Sequence, residues 1–451
     1  MADAVELFER GIAHRDKGDF DQAIAVLSEA IRENPKYAEA YFARGNCYEE
    51  TGRHEEAIAD YNAVLRFSPN EPVAYYNRGC AEMKRGNRDR AIADFNRAIE
   101  LDPKYAKAYF NRGMTYFKRG ELDKALADYD QALRHDPGDA DCHVCRGLVF
   151  AVRGQWDDAI AAYDAALAIE PKHYKARGNR GNALERKGEF EAALEEYTKL
   201  IRIDSRDAKA YANRAIVLFK LGRLDEAIAD YGEAIRLNPR SGQYYCSRGI
   251  AQAKRRQTDK ALADYDEAIR LEPKNVEAYF YRGMARAAKG LRENAIADYS
   301  EAIHLNPKHA RAHYQRGVAL AAEGNLDRAL ADFSKAIELD PSDPLPYCHR
   351  GVARTKKQQL AEAEADFAEA IRLKPDYARA YFNRGLVQMI QGNLDAAISD
   401  FTEAIRLDPE HAAAYHNRAL AYQQKGDKRR AEADFQQANR RSRLHPQSAA
   451  S

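Results

Sequence analysis

The chain lacks several things that would point to a chemistry or a compartment. No stretch of its 451 residues is apolar enough to cross a bilayer, which excludes a helical membrane span. It begins Met1-Ala2-Asp3-Ala4-Val5-Glu6, with acids where a secretory signal needs bases and then an apolar run, so a cytoplasmic location is expected. The six cysteines are spread over the whole length and form no dense disulfide framework. There is no excess of either charge: 71 Lys and Arg against 70 Asp and Glu leave +1, so nothing in the net charge draws the chain to nucleic acid or an anionic membrane. It contains no Gly-rich phosphate loop, zinc-protease His pair or nucleophile elbow.

What is present is a strict period. Pro35, Pro69, Pro103, Pro137 and Pro171 are 34 residues apart, and after Ser205 the series resumes with Pro239, Pro273, Pro307, Pro341, Pro375 and Pro409. With proline placed at position 32, thirteen units start at 4, 38, 72, 106, 140, 174, 208, 242, 276, 310, 344, 378 and 412 and fill residues 4–445, leaving tails 1–3 and 446–451. Position 8 is Gly in eleven units, position 20 is Ala in all thirteen, position 24 is aromatic in twelve and position 27 is Ala in eleven.

Each unit reads as two helices. Helix A covers positions 1–14 and ends at a Gly at position 15 in eleven units, where a left-handed cap suits glycine. Helix B follows, with an acid at position 18 in eleven units and Arg at position 29 in nine, both opposing the helix dipole. Proline then stops helix B. Gly at 8 and Ala at 20 and 27 permit close approach of two backbones, and the aromatic at 24 fills the space beside them. Ile or Leu at position 28 in twelve units is expected to face the next unit. One such unit cannot bury enough surface to fold alone, but stacked neighbours can. In the last unit Glu432 and Asn439 replace apolar residues at positions 21 and 28, and in the first Glu6 stands at position 3, as expected of capping units in a complete array.

The order aromatic at 4, Gly at 8, Ala at 20, Phe or Tyr at 24 and Pro at 32 resembles the tetratricopeptide repeat, for example in Tyr109-Phe110-Asn111-Arg112-Gly113 and Tyr381-Phe382-Asn383-Arg384-Gly385. The resemblance covers 4–445. It implies an all-α fold, a right-handed superhelical solenoid of stacked antiparallel helix pairs, with A helices lining a concave groove that takes extended peptides or partner helices. One departure is systematic: position 7, usually Leu in that family, is Arg in all thirteen units, and position 23 is acidic in eleven. These two are expected to pair between helices.

The resemblance places positions 2, 5, 6, 9, 12 and 13 in the groove. Position 6 carries Asn77, Asn111, Asn179, Asn213, Asn383 and Asn417, and such amides can hold the main chain of an extended peptide. The row is similar to the asparagine ladder in the repeat domain of O-GlcNAc transferases. Position 5 adds Phe42, Tyr76, Phe110, Phe280, Tyr314 and Phe382, which serve either as a sticky floor or as ordinary packing. Asp16, Glu49 and Glu50 make one end acidic, and Lys84, Lys118, Arg186, Lys220 and Lys254 make units 3 to 8 basic, so an acidic, extended protein segment is the expected partner.

A carboxylate clamp of the kind chaperone-binding relatives carry is not expected, since position 5 is never Lys and Asn occupies position 9 only at Asn46 and Asn182. Cys142-His143-Val144-Cys145 has no second pair to complete a zinc site, and reads as small-residue substitution. Trp156 falls where Phe20, Leu122 and Phe190 stand in other units and reads as packing. Units 6, 8 and 11 break the pattern at Arg177-Gly178, at Arg256, and at Pro344, Pro346 and Gln358, where changes of pitch are expected. The resulting expectation is a non-catalytic scaffold without metal or cofactor. A single-stranded RNA-binding array or the repeat subunit of a multi-chain enzyme are the alternatives.

Overall fold

A computed structural model describes residues 3–444; the tails, apart from Asp3, and His445 lie outside the described residues. The described residues hold 26 helices and no strand. They alternate as the period demands, from Ala4–Asp16 and Phe20–Glu33 in repeat 1 to Ala412–Gln424 and Lys428–Leu444 in repeat 13. The chain forms two compact units, 1–222 and 223–451, divided at the turn inside repeat 7. Each unit is a solenoid of stacked antiparallel helix pairs.

Local chemistry sets the helix ends. Helix B stops two residues before proline. The intervening residue is forced out of the α region, as at Asp102 (φ −131°, ψ 93°), while its N–H still reaches back to the Ala98 carbonyl at 2.9 Å. Helix A ends in a left-handed residue, and the eleven turn glycines take φ of +73° to +90°. Where glycine is missing, Arg256 and Gln358 adopt the same conformation at φ 62° and 61°. The pattern breaks there are absorbed as local strain in an unchanged turn. Pro344 and Pro346 fall in the first turn of helix Pro344–Lys356, where a missing N–H costs no helical bond.

Between helices A and B the approach is as close as the small residues allow. A Cβ added to Gly113 would lie 2.8 Å from Tyr129 Cε1, and one added to Gly147 only 2.5 Å from Tyr163 Cε1. The ring at position 24 therefore packs directly against the bare backbone at position 8, and Tyr129, Tyr163, Phe333 and Phe401 are all but fully buried. Position 28 does face the next repeat: Ile31 packs with Ala40 and Tyr41, and Leu65 with Ala74 and Tyr75. Glu432 and Asn439 in the last repeat are exposed. Trp156 packs beside the Tyr163 cluster.

The arginine at position 7 ties three helices together. Arg112 donates from Nε and Nη2 to both oxygens of Asp128 on its own helix B, at 2.8 and 2.6 Å. Its Nη1 reaches Asn96 at position 25 of the preceding helix B, at 2.6 Å. The guanidinium also lies over Tyr109 at position 4, 5.4 Å from the ring centroid. The fork onto Asp recurs at Arg44–Asp60, Arg78–Asp94, Arg248–Asp264, Arg316–Asp332, Arg384–Asp400 and Arg418–Asp434. The backward contact falls on Ser28, Asn62, Asp266, Ser300, Ser334 or Thr402. The expected pairing is thus within a repeat, with a second bond across the boundary. Repeat 5 shows what its loss does. Position 23 is Ala162, so among the described residues Arg146 keeps the Asp130 pair behind it at 3.1 Å while its buried Nε has no acceptor. In repeat 6 Glu196 accepts from Arg177, Arg180 and Lys199 together.

A second set of ion pairs joins neighbours at the turns, from position 14 back to position 18 of the preceding repeat, as in Arg119–Asp89 (2.6 Å) and Lys187–Asp157 (2.6 Å). Their carboxylates are exposed, so solvent screens each pair and leaves it little net stabilisation.

Two outcomes follow for stability. Arg112→Ala leaves the Asp128 carboxylate buried and unpaired and is expected to cost about 3–5 kcal/mol in urea unfolding, with Asp128→Ala recovering much of it, whereas Asp89→Ala costs under about 1 kcal/mol. Equal losses from Arg112→Ala and Asp89→Ala would contradict the assignment. Gln358→Gly relieves a left-handed side-chain residue and should stabilise by roughly 1 kcal/mol, against a loss for Gly324→Ala at the same position of repeat 10.

Candidate functional site

The rows expected to line a groove do meet. Successive A helices lie side by side, and their side chains touch at separations near 34 residues. In the first unit Asn77 Nδ2 donates to Asn46 Oδ1 at 3.0 Å, and Lys84 Nζ reaches Glu49 at 2.8 Å. Lys220 makes the same contact with Glu185 at 2.9 Å. Positions 6, 9, 12 and 13 therefore share one face. A cavity of about 490 Å³ opens there in repeats 1 to 3, lined by Arg15, Asn46, Glu49, Tyr61, Asn77 and Lys84 among others.

The asparagine row divides. Asn111 is 8% exposed and is spent within the fold, donating to the Tyr76 hydroxyl at 2.8 Å and the Cys80 sulfur at 3.3 Å. Asn77 is tied to Asn46, which also accepts the Tyr61 hydroxyl at 2.8 Å. Asn417 turns back to the Ala413 carbonyl. Asn383, in the second unit, makes a long contact of 3.9 Å to the Cys348 sulfur. Asn179 and Asn213 are half-buried, with no side-chain hydrogen bond among the described residues.

The position 5 aromatics pack against the position 24 ring of their own repeat: Phe42 on Tyr61, Tyr76 on Phe95 and Phe110 on Tyr129, each with centroids 6.0 Å apart. All three stay half-buried, whereas Phe280 has no exposed surface and lies out of a ligand's reach. The basic row is also uneven. Lys84 and Lys220 are answered by Glu49 and Glu185, while Lys118 and Arg186 are exposed with no ion-pair partner among the described residues. Lys254 is exposed in the second unit. The pairing glutamates are neighbours that a charge count along one row does not show. The signal was present: Glu at position 12 followed by Lys at position 13 of the next repeat.

Two chemically distinctive groups are accounted for by packing. Cys142 is fully buried, and burial pushes both its thiol and that of Cys145 up, the latter to about 11, so neither is a ready nucleophile. Among the described residues no group of His, Cys, Asp and Glu is placed to hold a metal, and no helix is long and apolar enough to cross a membrane. His349 takes position 6 in repeat 11, between the rings of Tyr314 and Phe333 at 5.5 and 6.0 Å.

The tetratricopeptide repeat profile matches residues 8–72, 76–140, 146–208, 283–344 and 350–412, and related repeat profiles match 208–241, 253–290 and 401–433. The chain belongs to the tetratricopeptide repeat family. Members are protein–protein interaction scaffolds, and that is the general function of this chain. No curated protein sequence matches it. Among solved structures, it is similar to the APC/C hetero-tetramer Cut9-Hcn1 at 17% identity, covering 98% of this chain and 94% of that one with a TM-score of 0.45. It is similar to yeast Tom70 at 19% identity, covering 92% and 98% with a TM-score of 0.41. YrrB, described as a TPR protein with an unusual peptide-binding site, is 27% identical over 42% of this chain and 96% of its own, with a TM-score of 0.37.

Burial, with repulsion from Arg379, lowers the His349 imidazole to about 4. The unfolded chain, with an ordinary value near ~6.5, then binds the proton more readily than the fold does. The neutral ring's contribution is complete above pH ~6.5 and is lost as the pH falls from there toward about 4. His349→Asn restores the residue type common at this position. It should flatten the stability–pH curve in that window and leave it unchanged above; parallel thermal melts of both proteins across pH 4–8 check this.

Proposed function

We propose that the protein is a non-catalytic scaffold that seats an extended segment of a partner protein along the A-helix face of its first unit. The observation that supports this reading is the contact of positions 6, 9, 12 and 13 between consecutive A helices in repeats 2–3 and 6–7, which puts those side chains on the same side of the helices. Such a face suits a strand-like guest. An extended chain advances about 3.3 Å per residue and packed helices stand about 8–10 Å apart, so one repeat meets about three guest residues. The half-buried amides of Asn179 and Asn213 have donors and an acceptor left for a guest main chain, and can hold it whatever its side chains. Asn77, Asn111 and Tyr76 shape the floor by fixing neighbouring A helices to one another, while Phe42 and Phe110 seat helix A on the helix B of their own repeat. Lys118 and Arg186 give it a preference for acidic guests, with Lys84 and Lys220 held in reserve by their glutamates.

Selection of peptides from a random displayed library on the purified protein, followed by hydrogen exchange of the complex, tests the reading. Enriched peptides are expected to protect amides of the A helices between Ala38 and Lys220, and Asn179→Ala with Asn213→Ala should weaken them about tenfold or less. Protection confined to B helices, or a library that yields no binder, would overturn it.

A further inference from the structure

We infer that specificity resides in repeats 4 to 6, and that this window takes an extended segment with one large apolar residue flanked on both sides by carboxylates. The inference rests on the groove reading above and names the chemistry of its guest. Position 13 in the first unit reads Asp16, Glu50, Lys84, Lys118, Val152, Arg186 and Lys220. A cation there meets position 12 of the preceding repeat, as Lys84 meets Glu49 and Lys220 meets Glu185. Between those two pairs position 12 carries no charge, being Met83, Phe117 and Ala151. Among the described residues Lys118 and Arg186 are consequently left without a carboxylate, and Val152 stands between them 63% exposed.

The window is therefore bounded by chemistry. At either end a guest carboxylate must compete with Glu49, itself only 13% exposed and also held by His54 at 2.8 Å, or with Glu185. In the middle two cations have no competitor, and a guest carboxylate gains the full charge-assisted bond. An apolar guest residue over Val152 removes its surface from water and sits above Phe117 and Ala151, which are half-buried. Lys118, Val152 and Arg186 come from consecutive repeats, so the guest groups fall about three residues apart, in the order acidic, apolar, acidic. Asn179, in the same window, is placed to hold the guest main chain.

The test uses the full chain and three labelled peptides carrying Asp-x-x-Leu-x-x-Asp, Lys-x-x-Leu-x-x-Lys and Asp-x-x-Ser-x-x-Asp, with affinity read by fluorescence anisotropy. The wild-type protein should favour the first roughly tenfold over either other peptide. The doubly reversed protein, Lys118→Glu with Arg186→Glu, should invert the preference between the Asp and Lys peptides. Val152→Ser should erase the preference for Leu over Ser. These residues are exposed, and an unchanged circular dichroism melt establishes that each variant is folded. Equal affinity for the Asp and Lys peptides, a preference that survives the reversal, or no binding of the Asp peptide overturns the inference. Library peptides that protect the A helices yet ignore the reversal leave the scaffold reading standing while this one falls; a library with no A-helix binder removes both.

Discussion

The guanidinium at position 7 spans its own helix A, its own helix B and the helix B before it, and wherever position 23 is acidic that contact ties the stack together. A leucine there would bury well against either neighbour and tolerate a slide between them. A guanidinium forked onto a buried carboxylate tolerates none, because a shift of one helical turn leaves an unpaired charge in the interior, at a cost of several kcal/mol. Burying the charges brings little net stability, since desolvation consumes most of the attraction. What it fixes is register, as Arg112, Arg316 and Arg418 do, each forked onto an Asp sixteen residues on. The tight seat of the position 24 ring on glycine works to the same end: too little space remains for any other approach.

With register fixed by these two contacts, the outer face of each A helix is released from structural duty and varies. Some of that variation is spent inside the array. Asn111 is buried against the previous repeat, and Lys84 and Lys220 answer glutamates one repeat back. The remainder, chiefly Lys118, Val152, Asn179 and Arg186, is exposed or half-buried with no side-chain hydrogen-bond or ion-pair partner among the described residues. On the proposed reading specificity arises by subtraction: a groove residue counts toward recognition only when its neighbour 31 or 35 positions away leaves it unsatisfied.

Much of the architecture was legible from periodicity because nearest-neighbour stacking makes every repeat face the same environment. Helix bounds, the left-handed turns at Gly18 or Gly120, the apolar seam at Ile31 and Leu65 and the pairing of positions 7 and 23 all follow from a pattern written many times over. Arg256 and Gln358 were readable as exceptions, but their outcome was not; the chain keeps the turn and bears the strain, because the stacked helices on either side hold the ends in place. The candidate site was legible only by rows. Nothing in the row of asparagines distinguishes the committed amide of Asn111 from the open one of Asn179, since the difference lies in Tyr76 and Cys80 on a neighbouring helix.

The sequence by itself determined the all-helical repeat, its length, its seams and which residue types face outward, because those are local demands met identically in each unit. Tertiary structure alone decided which outward groups remain available. Availability is a property of pairs drawn from adjacent helices, and a hydrogen bond or ion pair between them forms or fails on distances of a few tenths of an ångström that no single row of the repeat records.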